Sequence, residues 1–146
     1  MNMNLYVNLL ADDLGVEPPR IKKDDKKFNR GTQLACLVSK NGKTTLYMKK
    51  QYEDVITMLF AVAHEMRHKY QVDNRLFNFE KYQTSSNMSK REYNLQAEEL
   101  DANAYGYLVM RERFGVEIKF NGMDLDVIQK IRERAETIAN TEYDVE

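Results

Sequence analysis

The sequence predicts a mixed α+β fold, and three observations carry that prediction. Two β-prone runs are joined by Asn41-Gly42, a long apolar stripe follows Asp54, and a second long helical run ends at Gly115. Leu5, Leu9, Leu10 and Leu14 recur at helical spacing and Gly15 supplies a stop, so residues 3 to 14 read as a short amphipathic helix. Pro18 and Pro19 end it. From Arg20 to Arg30 charge dominates, with Ile21 and Phe28 the only large apolar residues, and a solvated surface segment is expected ahead of an outer strand. The runs Thr32 to Ser39 and Lys43 to Lys49 form a hairpin, because Asn and Gly both accept the positive φ of a type I′ turn. Leu34, Cys36 and Val38 alternate with Ala35 and Leu37, the pattern of a strand covered on both faces.

Asp54 is placed to cap a helix from Val55 to about Gln71, with Val55, Leu59, Val62 and Met66 as its stripe, widened by Phe60, Ala61 and Ala63. Residues 72 to 94 are polar and aperiodic, a long connection suited to flanking a cleft. Asn94 is the expected cap of the next helix, Leu95 to about Arg113. Val116 to Phe120 reads as a strand. Met123 to Asn140 reads as a charged amphipathic helix with Leu125, Ile128, Ile131, Ala135 and Ile138 inward.

At 146 residues and 17.2 kDa, one domain spanning 1-146 is expected. Lys and Arg number 22 against 23 Asp and Glu, so there is no global basic field and no nucleic-acid partner is expected. Cys36 has no intramolecular partner and lies in an apolar run, as a reduced, inert thiol does. The first residues lack a basic, then apolar, signal pattern, and no run approaches the roughly 20 apolar residues that cross a bilayer. The expectation is a cytoplasmic protein with no membrane association.

The chemistry lies in His64-Glu65-Met66-Arg67-His68. Two histidines four apart on a helix sit one turn above each other and can point at one metal, and the glutamate after the first stands where it can deprotonate a metal-bound water. With two histidines in the chain, chance gives this spacing and glutamate roughly once in 800 placements. The bland alternative is an ordinary histidine pair hydrogen-bonded on a half-buried helix. Arg67 and Lys69 read as solvated or carboxylate-paired charges.

A catalytic Zn2+ site takes three protein ligands and keeps one position open. No third histidine exists, and Gln71 and Asn74 stand where the extended histidine motif needs Gly and His, so the third ligand is a carboxylate. Glu98, Glu99 and Asp101 compete on the second long helix. Glu99 shares its face with Ala102, Asn103 and Gly106, small residues that let this helix approach the first closely, whereas the face of Glu98 carries Tyr105 and Val109. Glu99 is preferred, with Glu98 an alternative and Asp101 either a ligand or a surface acid. Asn103, one turn beyond Glu99, is placed to accept the free N–H of a ligand histidine.

These residues resemble the gluzincin branch of HExxH zinc metallopeptidases, and most closely its small bacterial and phage cytoplasmic members of the ImmA/IrrE-like kind. Those carry a Glu-x-Glu-Ala-Asn-x-Phe-Ala-like segment; here Glu99-Leu100-Asp101-Ala102-Asn103-Ala104-Tyr105-Gly106 follows it, with Asp101 for the second Glu and Gly106 for the final Ala. The match covers the two long helices well, the hairpin loosely and the chain ends hardly at all. The resemblance implies a zincin-like metallopeptidase fold, with a small mixed sheet packed against the HExxH helix and the following glutamate helix. It implies His64, His68 and Glu99 as zinc ligands, Glu65 as catalytic acid/base and Asn103 as orienter of a histidine. An exposed strand edge would bind an extended peptide.

The expected activity is that of a zinc metalloendopeptidase: hydrolysis of peptide bonds by a zinc-activated water with Glu65 as general base. The alternative is a zinc-binding regulatory or interaction module without protease activity. The expected partner is a peptide or protein substrate, and members of the resembled group often cut one regulatory protein such as a repressor. Tyr82 and Tyr93 are candidates for an oxyanion donor, against the plainer reading of each as a packing or surface tyrosine.

Overall fold

The computed structural model describes residues 2–28, 33–77, 82–83 and 88–142. Their order is α1 (Met3–Leu14), β1 (Arg20–Lys23), a 3-10 turn (Asp25–Lys27), β2 (Ala35–Lys40), β3 (Lys43–Met48), α2 (Val55–Asp73), α3 (Lys90–Leu95), α4 (Ala97–Phe114) and α5 (Leu125–Glu142). The fold is therefore mixed α+β, with five helices and a small three-stranded sheet among the described residues. None of these helices is long and apolar enough to cross a membrane.

The first helix has the expected bounds. Asn2 accepts from the N–H of Leu5 at 3.3 Å, and Gly15 ends the helix at a φ of 66° that a side chain disfavours. Its buried face keeps half of the leucine stripe: Leu10 and Leu14 are buried with Tyr6, Val7 and Ala11, while Leu5 is 60% and Leu9 44% exposed. The tyrosine sets the rotation, because its buried hydroxyl needs an acceptor and finds the Leu59 carbonyl at 2.8 Å.

The Asn41-Gly42 hairpin forms as expected, with φ of 54° and 77° and Lys40 opposite Lys43. The charged stretch before it contains a strand that composition hid. Residues Arg20–Lys23 pair in parallel with β3, placing Ile21 opposite Leu46 against the core, so the sheet order is β1-β3-β2. Strand pairing uses backbone groups, and one inward isoleucine is enough to seat it. Of β2, only Ala35 is buried and Cys36, Leu37 and Val38 are half-buried, because β2 is a sheet edge and not a strand covered twice. Its expected start at Thr32 lies outside the described residues, as do 78–81 and 84–87 of the long connection.

Asp54 caps α2 as expected, accepting from Thr57 N–H at 2.7 Å, and the helix buries Leu59, Val62 and Met66. Val55, in the first turn, is 55% exposed and lies outside the stripe. The next helix begins differently from the expectation. Ser89 and Glu92 form a reciprocal capping box for α3, the chain turns extended at Gln96, and α4 starts at Ala97, so Asn94 is interior to α3 and caps nothing. Gln96 makes no side-chain cap because its amide exchanges two hydrogen bonds with the backbone of Gln83, at 2.8 and 2.9 Å. Residues 116–120 form no strand. Val116, Ile118 and Phe120 pack against the core as an irregular cover, with Phe120 edge-on to Phe60 at 5.6 Å. Helix α5 buries Ile128, Ile131, Ala135 and Ile138 as expected and Val127 as well, but Leu125 at its first turn is 84% exposed.

Helix α4 is buried over most of its length, packed by α2 on one side and α5 on the other. Gly106 is what permits the first contact: a Cβ there would lie 2.7 Å from Phe60 Cε1. Gly106→Ala sets a helix-propensity gain of about 1 kcal/mol against an overpacking cost of about 1–3 kcal/mol. The expected net result is a loss on the order of 1 kcal/mol in chemical denaturation, recovered when Phe60→Leu is added. A more stable Gly106→Ala protein would contradict the close approach.

Candidate metal centre

Burial of apolar residues on α2 turns one face of the helix toward α4 and the next toward β2, and the motif lies between. His64 and His68, one turn apart, have ring centroids 4.8 Å apart and nearly perpendicular planes. The ligand atoms of His64, Glu65 and His68 all fall within 4.8 Å of one another. Across from them Glu99, in the first turn of α4, places Oε1 at 3.2 Å from His64 Nε2 and Oε2 at 2.9 Å from His68 Nε2. Of the three competing carboxylates it is Glu99 that meets the histidines. Asp101 is neither beside them nor a surface acid: it is buried against Arg67, Arg134 and Gln71. Glu98 is also buried, and its backbone carbonyl accepts from Gln71.

Each imidazole is held from behind. His64 Nδ1 donates to Asn103 Oδ1 at 2.8 Å, the contact anticipated from their places on facing helices. His68 Nδ1 donates to Gln71 Oε1, also at 2.8 Å. Gln71, which in sequence only marks the absence of the extended motif's glycine, lies three positions after His68 and so shares its helix face. With both Nδ1 atoms carrying hydrogen, both Nε2 atoms face Glu99: a protonated ring gives it an N–H, and a neutral ring leaves a lone pair there for a metal. Of the two expectations for Arg67 and Lys69, carboxylate pairing holds: Arg67 is fully buried and bound to Asp101 and Glu142, and Lys69 pairs with Asp73 at 2.7 Å.

Tyr82 completes the wall. The Gln83–Gln96 exchange fixes the backbone beside it, and its hydroxyl donates to Glu99 Oε2 at 2.7 Å and lies 3.2 Å from the Tyr93 hydroxyl. A cleft of about 250 Å³ opens here, lined by Glu65, His68 and Tyr82 on one side and by Leu37, Ser39 and Thr44 of the hairpin on the other. Strand β2 is thus the sheet edge that faces the site. Counting alternate pairs from the turn leaves the N–H and C=O groups of Ala35, Leu37 and Ser39 pointing away from β3.

Burial raises the cost of charge on Glu99, but the hydrogen bonds and charges of His64 and His68 outweigh it and hold the carboxyl well below the usual range. Burial opposes charge on His68 too, yet the Glu99 hydrogen bond, the Glu65 and Glu99 charges and Gln71 push it up to about 9. Burial pushes the Glu65 carboxyl up, opposed by the two imidazoles and the Leu37 N–H and reinforced by Glu99. The Tyr82 phenol is pushed far up by burial and by Glu99, so it remains a proton donor. Cys36 is half-buried and its thiol is pushed up, first by burial, which keeps it a poor nucleophile.

Two imidazole Nε2 atoms and a buried carboxylate turned to one point, beside an open cleft, form the N/O donor set that suits zinc. The fit extends to the outer partners, since Asn103 and Gln71 hold the imidazoles in the tautomer a metal needs. No protein-family model, curated protein or solved structure compared with the chain matches it.

The protonation state sets a pH test on metal-free protein. His68 at about 9 lies above its ordinary 6.5, so its contribution to stability is complete below about pH 6.5 and disappears as pH rises through about 9. Glu99, held low, contributes above its ordinary 4.5 and loses that contribution only in strong acid. Thermal melts of metal-free protein should fall between pH 6.5 and 9.5, and His68→Gln should flatten that part of the profile. An unchanged slope in His68→Gln would show that the imidazole is not charged against Glu99.

Proposed function

We propose that this chain is a zinc-dependent metallopeptidase of the gluzincin type, built on a zincin-like fold. The observation that carries the reading is the Glu99 carboxylate, 1% exposed, with one oxygen toward each histidine of an HExxH helix and Glu65 beside it on the cleft. His64, His68 and Glu99 are the ligands. Zinc bound there would supply Lewis-acid polarisation of a carbonyl and make water acidic enough to give up a proton near neutral pH.

The remaining chemistry belongs to the chain. Glu65, made more basic than an exposed carboxylate by its burial, accepts the proton of the attacking water and delivers it to the leaving amine. The outward N–H and C=O groups of Ala35 and Ser39 on β2 align an extended peptide across the cleft by strand addition, while the Leu37 N–H is held by Glu65. Tyr82, still protonated under working conditions, donates to the oxygen on which negative charge develops. Its contact with Glu99 keeps the phenol at the ligand cluster before substrate arrives.

Purified protein is expected to carry about one zinc per chain and to cut unfolded protein substrates. Glu65→Gln should keep the zinc and lose roughly 10²–10⁴ in turnover. Cleavage by pure Glu65→Gln at the parent rate removes the general-base role, and zinc without any cleavage by the parent favours a non-catalytic zinc module. Tyr82→Phe should keep the zinc and lose about 10²-fold in kcat with little change in KM. A change confined to KM would place Tyr82 in binding instead.

A further inference from the structure

We infer that the ion cluster built on the buried pair Arg67 and Asp101, and closed from α5 by the partly exposed Arg134 and Glu142, is a positioning device for the metal site. It fixes the side-chain amide of Gln71, and Gln71 fixes His68, so that metal affinity depends on the last turn of α5. This presupposes that His64, His68 and Glu99 hold the metal.

The amide of Gln71 is fully buried and admits one orientation. Its Nε2 gives one hydrogen to the Glu98 carbonyl at 2.9 Å and one to Asp101 Oδ2 at 2.8 Å. That leaves Oε1 facing His68 Nδ1. A flipped amide would set its oxygen against two acceptors, the Glu98 carbonyl and Asp101 Oδ2, and lose both of those bonds. The hydrogen on His68 Nδ1, and the donor character of Nε2, are therefore dictated from Asp101.

Asp101 is itself saturated. Its Oδ2 takes Arg67 Nε at 2.7 Å besides Gln71, and its Oδ1 takes Arg67 Nη2 at 3.1 Å and Arg134 Nε at 2.7 Å. Four donors fill the lone-pair sites of one carboxylate. The opposite edge of the Arg67 guanidinium forks onto Glu142, Nη1 to Oε1 at 2.9 Å and Nη2 to Oε2 at 3.0 Å, and its face lies 4.3 Å from the Tyr70 ring centroid. Two cations and two anions sum to zero, and the inner pair, Arg67 and Asp101, is the part removed from water. Arg67 and Gln71 belong to α2, Asp101 to α4, Arg134 and Glu142 to α5, so three helices must be in register before His68 is oriented. A buried ion pair such as Arg67–Asp101 is weak as a stabiliser but strict about geometry, and strict geometry next to a ligand histidine is its use here.

The test is zinc affinity, by competition with a chromophoric chelator, for the parent, Gln71→Met, Asp101→Asn, Glu142→Gln and the doubles with Gln71→Met. Circular dichroism identifies the folded variants, and cobalt-substituted protein reports ligand geometry in its visible absorption. Gln71→Met should weaken zinc binding about 10–100-fold and alter the cobalt spectrum. Asp101→Asn should weaken it in the parent background and add little once Gln71 is Met. If Asp101→Asn does not fold, Glu142→Gln, at a partly exposed position, carries the same cycle with a smaller loss. Parent-like affinity in Gln71→Met overturns the inference, as does an Asp101 or Glu142 effect equally large in both backgrounds. A parent that binds no zinc overturns the metal reading itself, and this inference with it.

Discussion

The buried Glu99 carboxylate is the constraint on which the rest of this structure depends. An ionised carboxylate removed from water is tolerated only when its lone pairs are filled, and here two imidazoles and a phenol fill them. That requirement sets the distance between α2 and α4. Ala102 and Gly106 keep the interface thin, Phe60 occupies the space that a Cβ at 106 would take, and the histidines are thereby brought to the first turn of α4. The same first turn favours negative charge, because its free N–H groups and the helix dipole face that way.

The two histidines are secured by different means, and the difference shapes the molecule. His64 is held across the interface by Asn103, so it depends only on α2 and α4 being packed. His68 is held by its own helix through Gln71, whose amide is aimed by Asp101 on α4. Arg67, in the middle of the HExxH motif, points away from His64, His68 and Glu99 into the three-helix junction and binds the end of α5. The motif helix thus serves two interiors at once, a donor cluster on the cleft side and an ion cluster on the α5 side.

Much of the centre was legible in the sequence because its geometry is local. An i, i+4 histidine pair lies on one helix face wherever the helix is, and the small-residue row Ala102, Asn103, Gly106 marks the face of the second helix that must approach another. Glu99 and Asn103 followed from that row. Gln71 carries the same i, i+3 signal relative to His68, but in sequence the absence of the longer motif's glycine masks it. Arg67–Asp101–Glu142 was not legible, since nothing in a single sequence links positions 34 and 75 residues apart. The fold failed to show where pairing is made by backbone groups: charged β1 joins the sheet on one inward isoleucine, whereas the alternating 116–120 segment finds no strand to pair with and covers the core instead.

The central claim is that two histidines and Glu99 bind one zinc, and X-ray absorption of zinc-loaded protein reads it most directly. The expected spectrum is a shell of nitrogen and oxygen scatterers alone at about 2.0–2.2 Å, with the multiple scattering of two imidazoles. Glu99→Ala should lose that signature at equal protein and zinc concentrations. A sulfur scatterer at about 2.3 Å, a single imidazole, or an identical spectrum from Glu99→Ala would contradict it.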